Sequence, residues 1–305
     1  MGPATETPRV NGDGLIAADG AVLPLKVWRP EGRPKAAILG VHGFNDYANA
    51  FALPAAWWAE RGIATYAFDQ RGFGAAPNRG YWAGTATMVA DLRAAAAAVK
   101  ARNPGVPLWI VGDSMGGAVA MVALADRPVD GVDGTVLAAP AVWGRSYMNP
   151  LQRGLLWFFA RTIPWYPLTG QGLNRKPSDN IEMLKALSRD PKVIRETRID
   201  TIEGLVDLMD AALEAAAKLD GAPVLMLYGR NDEIVPESPV LAAMRRMPRN
   251  GRNRAAFYPR GYHMLLRDLE GETVWRDIAA FMAAPGQPLP SGADARARAP
   301  MAKVE

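Results

Sequence analysis

Six short apolar runs, Ala36 to Val41, Ala64 to Phe68, Leu108 to Val111, Thr135 to Ala138, Val224 to Tyr228 and Ala255 to Tyr258, alternate with segments of helical pattern. The runs are rich in Val, Ile, Leu or aromatic residues and too short for helices, so they read as buried strands. Helical patterns lie near Asn49 to Arg61, Thr85 to Arg102, Gly116 to Asp126, Ser238 to Met247 and Glu272 to Met282. A βαβα order of this kind restricts the chain to an α/β fold, a mostly parallel central sheet with flanking helices. Leu15 to Ala17 and Ala21 to Trp28, joined across Asp19-Gly20, predict an antiparallel hairpin leading into that sheet.

The alternation breaks between Ala141 and Lys218, where no strand pattern appears for far longer than an ordinary connection of about four to six residues. Residues 141–219 are therefore expected to form an inserted helical cap on a core of residues 1–140 and 220–284. After Ala284 the composition shifts to Pro, Gly, Ala and Arg without apolar periodicity, and residues 285–305 are expected to be a disordered tail.

Chemistry concentrates at three strand ends. Gly112-Asp113-Ser114-Met115-Gly116 follows one predicted strand and opens a helix, the context in which a Gly-x-Ser-x-Gly turn holds its serine strained and projecting above the sheet edge. A serine hydroxyl is a weak nucleophile until a base, oriented by a carboxylate, takes its proton. The chain has two histidines. His263, in Gly261-Tyr262-His263-Met264 beyond the last predicted strand, stands at the same sheet edge as Ser114 and is the expected base. Asp232, in Gly229-Arg230-Asn231-Asp232-Glu233, follows a strand and lies between the two in sequence; it is the expected acid, with Glu233 the weaker candidate. Asp69 also ends a strand but precedes the serine, and reads as a loop-ordering residue. An oxyanion needs two aimed N–H groups. Met115, next to the nucleophile, supplies one, and Phe44 in His42-Gly43-Phe44 the other; His42 then shapes that loop and is no catalyst.

His42-Gly43, Asp69-Gln70-Arg71-Gly72-Phe73-Gly74, Gly112-Asp113-Ser114-Met115-Gly116-Gly117, Gly229-Arg230-Asn231-Asp232 and Gly261-Tyr262-His263 together resemble the monoacylglycerol lipase and lysophospholipase branch of the α/β-hydrolases, from about Gly14 to Met282. The resemblance implies the α/β-hydrolase fold, a helical cap over the site, a serine esterase acting on lipid-like acyl esters, and neither metal nor organic cofactor. Members of the branch often carry a second histidine shortly after the His-Gly pair; here Asn45, Asp46 and Tyr47 follow.

The cap segment carries Trp143, Leu155, Leu156, Trp157, Phe158, Phe159, Trp165 and Tyr166 in its first half. Trp143, Trp157, Phe158 and Trp165 are taken as candidate substrate-binding residues, whether lining an acyl pocket or meeting a lipid surface. Packing of the cap against the core is the plain alternative. In its second half a predicted helix, Thr201 to Lys218, sets Glu203, Asp207, Asp210 and Glu214 along one face. That face reads as solvated and acidic, opposite Leu205, Leu208 and Leu213. A carboxylate cluster binding a substrate amine, as in an aminopeptidase, is the competing reading, and a non-catalytic binding protein a further one. Serine in place of aspartate argues against a dehalogenase.

Bulk properties narrow the partners. The 305 residues are 49% hydrophobic and 22% charged, enough for a large core. Zero cysteines remove disulfides and thiolate chemistry. The net charge of +4 is spread among 31 acidic residues with no basic-aromatic stripe, so no nucleic-acid partner is expected. Met1 to Gly14 shows no signal-peptide pattern, and no apolar run reaches the roughly 18 residues of a spanning helix, so a soluble, cytoplasmic protein is expected.

Overall fold

The structure is a computed structural model that describes residues 2–170 and 174–302. Its elements in chain order are β1 (Arg9–Asn11), β2 (Gly14–Ile16), β3 (Val22–Trp28), β4 (Ala36–Val41), α1 (Ala52–Ala59), β5 (Ile63–Phe68), α2 (Thr85–Arg102), β6 (Leu108–Asp113), α3 (Met115–Asp126) and β7 (Gly134–Ala138). There follow α4 (Pro150–Thr162), β8 (Pro167–Thr169), α5 (Ile181–Arg189), β9 (Glu196–Arg198), α6 (Ile199–Ala215), β10 (Val224–Gly229), α7 (Glu237–Arg246), β11 (Arg254–Tyr258), α8 (Gly271–Ala283) and α9 (Ala293–Ala302).

Nine strands form one sheet in the order β1-β2-β3-β5-β4-β6-β7-β10-β11. From β5 through β11 every pairing is parallel, while β1, β2 and β3 join antiparallel at one edge. The mostly parallel sheet is the one expected from the alternation, and its arrangement is the α/β-hydrolase fold that the resemblance implies. Strands β5, β6, β7 and β10 are buried along their whole length because helices cover both faces, which is why they read as unbroken apolar runs. The parallel order puts the C-terminal ends of β4, β6, β10 and β11 on one edge, so the loops after them converge.

Two features differ from the sequence reading. Between β7 and β10 the chain contains, besides helices, a two-stranded antiparallel ladder in which Leu168 faces Thr197. Three-residue strands are too short for alternation to show. At the C-terminus, described residues beyond Ala284 pack instead of straying. Leu289, Ala293 and Ala297 are buried, Asp277 accepts the Ser291 N–H at 3.0 Å, and Arg254 pairs with Asp294 at 3.2 Å. The anchoring residues are mostly alanines, small enough to sit flush on the core yet invisible to a search for large apolar side chains. Residues 303–305 of that expected tail lie outside the described residues.

Candidate active site

Ser114 stands where β6 turns into α3, with φ 49° and ψ −111°, a conformation that L residues adopt only when surroundings impose it. The imposition is steric and hydrogen-bonded. A Cβ on Gly116 would lie 2.0 Å from the Val41 carbonyl oxygen, and one on Gly112 would lie 2.7 Å from the Gly116 oxygen. Only glycines let β4, β6 and α3 come this close. The Ser114 N–H donates to Ala138 O at 2.9 Å, while its carbonyl accepts from Ala118 and Ala141.

The Ser114 Oγ lies 2.9 Å from His263 Nε2, and His263 Nδ1 lies 2.8 Å from Asp232 Oδ2. The other Asp232 oxygen accepts the N–H groups of Ile234 and Val235 at 2.8 and 2.9 Å, which locks the carboxylate in place. With Nδ1–H donating to Asp232, Nε2 is left to accept from the serine hydroxyl. Burial pulls the His263 pKa down, but the facing Asp232 carboxylate outweighs it, and the net shift is upward. Such a chain can transfer the serine proton to imidazole while the carboxylate stabilises the resulting imidazolium.

Gly43 sits beside the nucleophile, since a Cβ there would lie 3.4 Å from Ser114 Cβ. The N–H groups of Phe44 and Met115 donate to no protein acceptor among the described residues, as a pair reserved for an oxyanion requires. His42 is fully buried and does not line the cavity into which Ser114 opens. Its Nε2 accepts the Gln70 N–H at 2.9 Å, its Nδ1 donates to Gly43 O at 2.8 Å, and burial depresses its pKa, so a neutral ring shapes this loop. Asp69 likewise orders backbone, accepting from Ala48 and Ala75. Glu233 turns away to accept the Lys176 N–H.

Ser114 and His263 open into a cavity of about 430 Å³. Of the four candidate substrate-binding residues Trp143 lines it, whereas Trp157, Phe158 and Trp165 do not; they are 58, 50 and 60% exposed. The reason lies in α4, which carries Trp157 and Phe158 and buries none of its residues. The apolar wall comes instead from Met148 and from Ile202, Leu205, Val206 and Met209 on α6. The acidic face of α6 is an ion-pair seam: Arg145 bridges Asp207 at 2.7 Å and Asp210 at 2.6 Å, and Arg161 reaches Glu203 at 3.2 Å. These carboxylates face other side chains, not the cavity.

Three charged residues on the cavity wall were not anticipated. Arg267 and Asp46 form a buried pair at 2.6 Å, and Asp113 lies beside the nucleophile. Asp113 stood within the serine motif itself, and Arg267 four residues beyond His263, but only folding brings Asp46 to them. Among the described residues no group of three or more His, Cys, Asp and Glu side chains is arranged to hold a metal ion, and no helix is long and apolar enough to cross a membrane.

Comparison with known proteins adds a family and a set of relatives. A family model described as serine aminopeptidase, S33, matches residues 32–270. The chain is 23% identical to a monoacylglycerol lipase of Mycolicibacterium smegmatis over 86% of this chain and 93% of that protein. It is 26% identical to the monoglyceride lipase of Rattus norvegicus, covering 84% of each. Among solved structures it superposes on a Paleococcus ferrophilus monoacylglycerol lipase with a TM-score of 0.72 at 22% identity, over 86% of this chain and 99% of that one. A soluble variant of the Saccharomyces cerevisiae monoglyceride lipase gives 0.73 at 19% identity, over 94% and 99%.

Proposed function

The chain belongs to the serine aminopeptidase S33 family of α/β-hydrolases, and on that footing we propose that it hydrolyses carboxylic esters of lipid-like alcohols, such as monoacylglycerols or lysophospholipids. The observation that carries this reading is the hydrogen-bonded series Asp232–His263–Ser114 opening into a cavity walled by aliphatic side chains. Ser114 Oγ attacks the ester carbonyl carbon as His263 Nε2 takes its proton. The oxyanion is held by the Phe44 and Met115 N–H groups, and the imidazolium by Asp232. Collapse expels the alcohol, which leaves with the proton from His263. Water, deprotonated by the same nitrogen, then attacks the acyl-enzyme and releases the acid. The acyl chain lies against Leu205, Val206 and Met209.

The family's description and the notion of an amine-binding carboxylate cluster favour amide substrates, but Glu203, Asp207 and Asp210 are held by arginines. Residues 141–219 act as a cap whose exposed Leu151, Trp157, Phe158 and Trp165, with Arg153 and Arg161 nearby, rest on a lipid surface while substrate enters. Turnover of p-nitrophenyl acyl esters against aminoacyl p-nitroanilides tests the reading; faster cleavage of the anilides overturns it. Fluorophosphonate labelling should be lost in Ser114→Ala, and equal labelling of that variant would reject the nucleophile.

A further inference from the structure

The Phe44 N–H shares one planar trans peptide with the Gly43 carbonyl, so whatever holds that carbonyl aims the N–H the opposite way. Its donors are His42 Nδ1 at 2.8 Å and the Asp46 N–H at 3.3 Å. The second of these closes a turn in which Asn45 adopts φ 62°, the left-handed conformation that glycine or asparagine supplies at such a position. The residues of the turn are then tied down in alternation. Asp46 is anchored to Arg267 at 2.6 Å, on the loop that carries His263. Asn45 and Tyr47 reach the inserted segment instead: the Asn45 carbonyl accepts the Ile194 N–H at 2.9 Å, its Nδ2 donates to Thr197 Oγ1 at 2.7 Å, and the Tyr47 hydroxyl donates to Asp190 at 2.6 Å.

Asn45 carries two local costs at once. Besides its left-handed backbone, its Oδ1 is buried with no hydrogen-bond partner among the described residues. Glycine would carry neither, so local stability alone does not account for an asparagine at this position. We infer that Asn45 is a positioning residue for the oxyanion hole: its amide, seated on Thr197 of β9, fixes the turn that aims the Phe44 N–H. The inference rests on the ester-hydrolase reading above. Asn45 does not line the cavity, so it acts through Phe44. The inserted segment thereby holds part of the catalytic machinery as well as walling the cavity through α6.

The test separates oxyanion stabilisation from stability and from ground-state binding. Asn45→Gly keeps the left-handed backbone and the carbonyl that Ile194 meets but loses the amide. Thr197→Val removes the hydroxyl without touching the turn, and Thr197→Ser keeps it. With p-nitrophenyl acyl esters, kcat should fall about tenfold in Asn45→Gly and Thr197→Val, with KM and Tm near wild type, and should stay at the wild-type level in Thr197→Ser. A trifluoromethyl ketone of the same acyl chain takes Ser114 Oγ onto its carbonyl carbon, the hydroxyl proton passing to His263, and leaves an oxyanion in the hole. Its affinity should fall with kcat, whereas the unreactive methyl ketone should bind wild type and variants alike. Unchanged kcat in either of the first two variants, no recovery in Thr197→Ser, or equal loss of affinity for both ketones overturns the positioning role. A trifluoromethyl ketone that binds wild type no better than the methyl ketone would instead overturn the oxyanion assignment of Phe44 and Met115, and the inference with it.

Discussion

The Ser178 hydroxyl donates to Asp268 Oδ1 at 2.6 Å, while Asp268 Oδ2 accepts the Tyr262 N–H at 2.7 Å, so one buried carboxyl ties the inserted segment to the loop that carries His263. The tie is one of several. Met264 N–H donates to Pro177 O at 2.9 Å, Asn180 Nδ2 to Arg267 O at 3.0 Å, and Leu269 N–H to Asp179 at 2.9 Å. The base is therefore positioned in part by residues 177–180, far from it in sequence.

Asp268→Ala should lower stability by about 1–3 kcal/mol, because it strands a buried hydroxyl and a buried N–H. It should also reduce kcat about tenfold or more through misplacement of His263, with KM changing much less. Ser178→Ala should show a smaller version of both effects. Urea unfolding and steady-state kinetics measure them; a stability loss with unchanged kcat would separate the Ser178–Asp268 tie from catalysis.

Removing either end of the proton relay should be near-complete. Ser114→Ala or His263→Ala is expected to cut kcat about 10⁶-fold, and Asp232→Asn about 10⁴-fold, since the imidazole persists but loses its orienting acceptor. Burst-phase kinetics with an activated ester separate acylation from deacylation in the Asp232 variant.

Activity should rise with pH across the titration of His263, because only the neutral ring accepts the Ser114 proton. The Asp232 carboxylate sets that midpoint above the ordinary histidine value against the opposing pull of burial, so Asp232→Asn should move the midpoint of its residual activity down. A midpoint unmoved by Asp232→Asn would contradict the electrostatic account.

Stability should run the other way with pH. Asp113 and Asp268 are each raised by burial from 3.8 to about 6, so the folded chain holds their protons more tightly than the unfolded one. Their contribution is present in full below about pH 4 and is lost as pH rises to about 6. Asp113→Asn should flatten that decline and raise Tm at pH 8 relative to wild type, but not at pH 4. Thermal melts across pH 4–8 read the difference directly.

The Arg267–Asp46 pair, buried on both sides, should behave as a unit. Arg267→Met leaves a buried carboxylate unpaired and is expected to cost about 3–5 kcal/mol. Asp46→Leu combined with Arg267→Met should recover most of that loss. Chemical denaturation of the two single variants and the double variant closes the cycle.

Much of this molecule was already legible along the chain. Strand runs such as Leu108 to Val111 carry their burial on both faces as unbroken apolar sequence, and Gly112-Asp113-Ser114-Met115-Gly116 announces a turn that only small neighbours allow. The order Ser114, Asp232, His263 pointed to three residues that stand within 2.9 Å contacts of one another. These are local signals, periodicity and backbone sterics, which a sequence records directly. Tertiary structure decided the rest. Trp157 and Trp165 face outward while Leu205 and Met209 line the cavity, because the orientation of α4 and α6 depends on what each packs against. Arg145 claims the carboxylates of α6, Ser178 meets Asp268, and Asp46 meets Arg267 across 221 residues. Pairings between distant charged groups leave no periodic trace, since each partner looks like a surface residue until the fold closes over it. Asp113 shows both sides of this division: its place beside the nucleophile was written in the motif, and its share of the cavity wall with Asp46 and Arg267 appeared only in the folded chain.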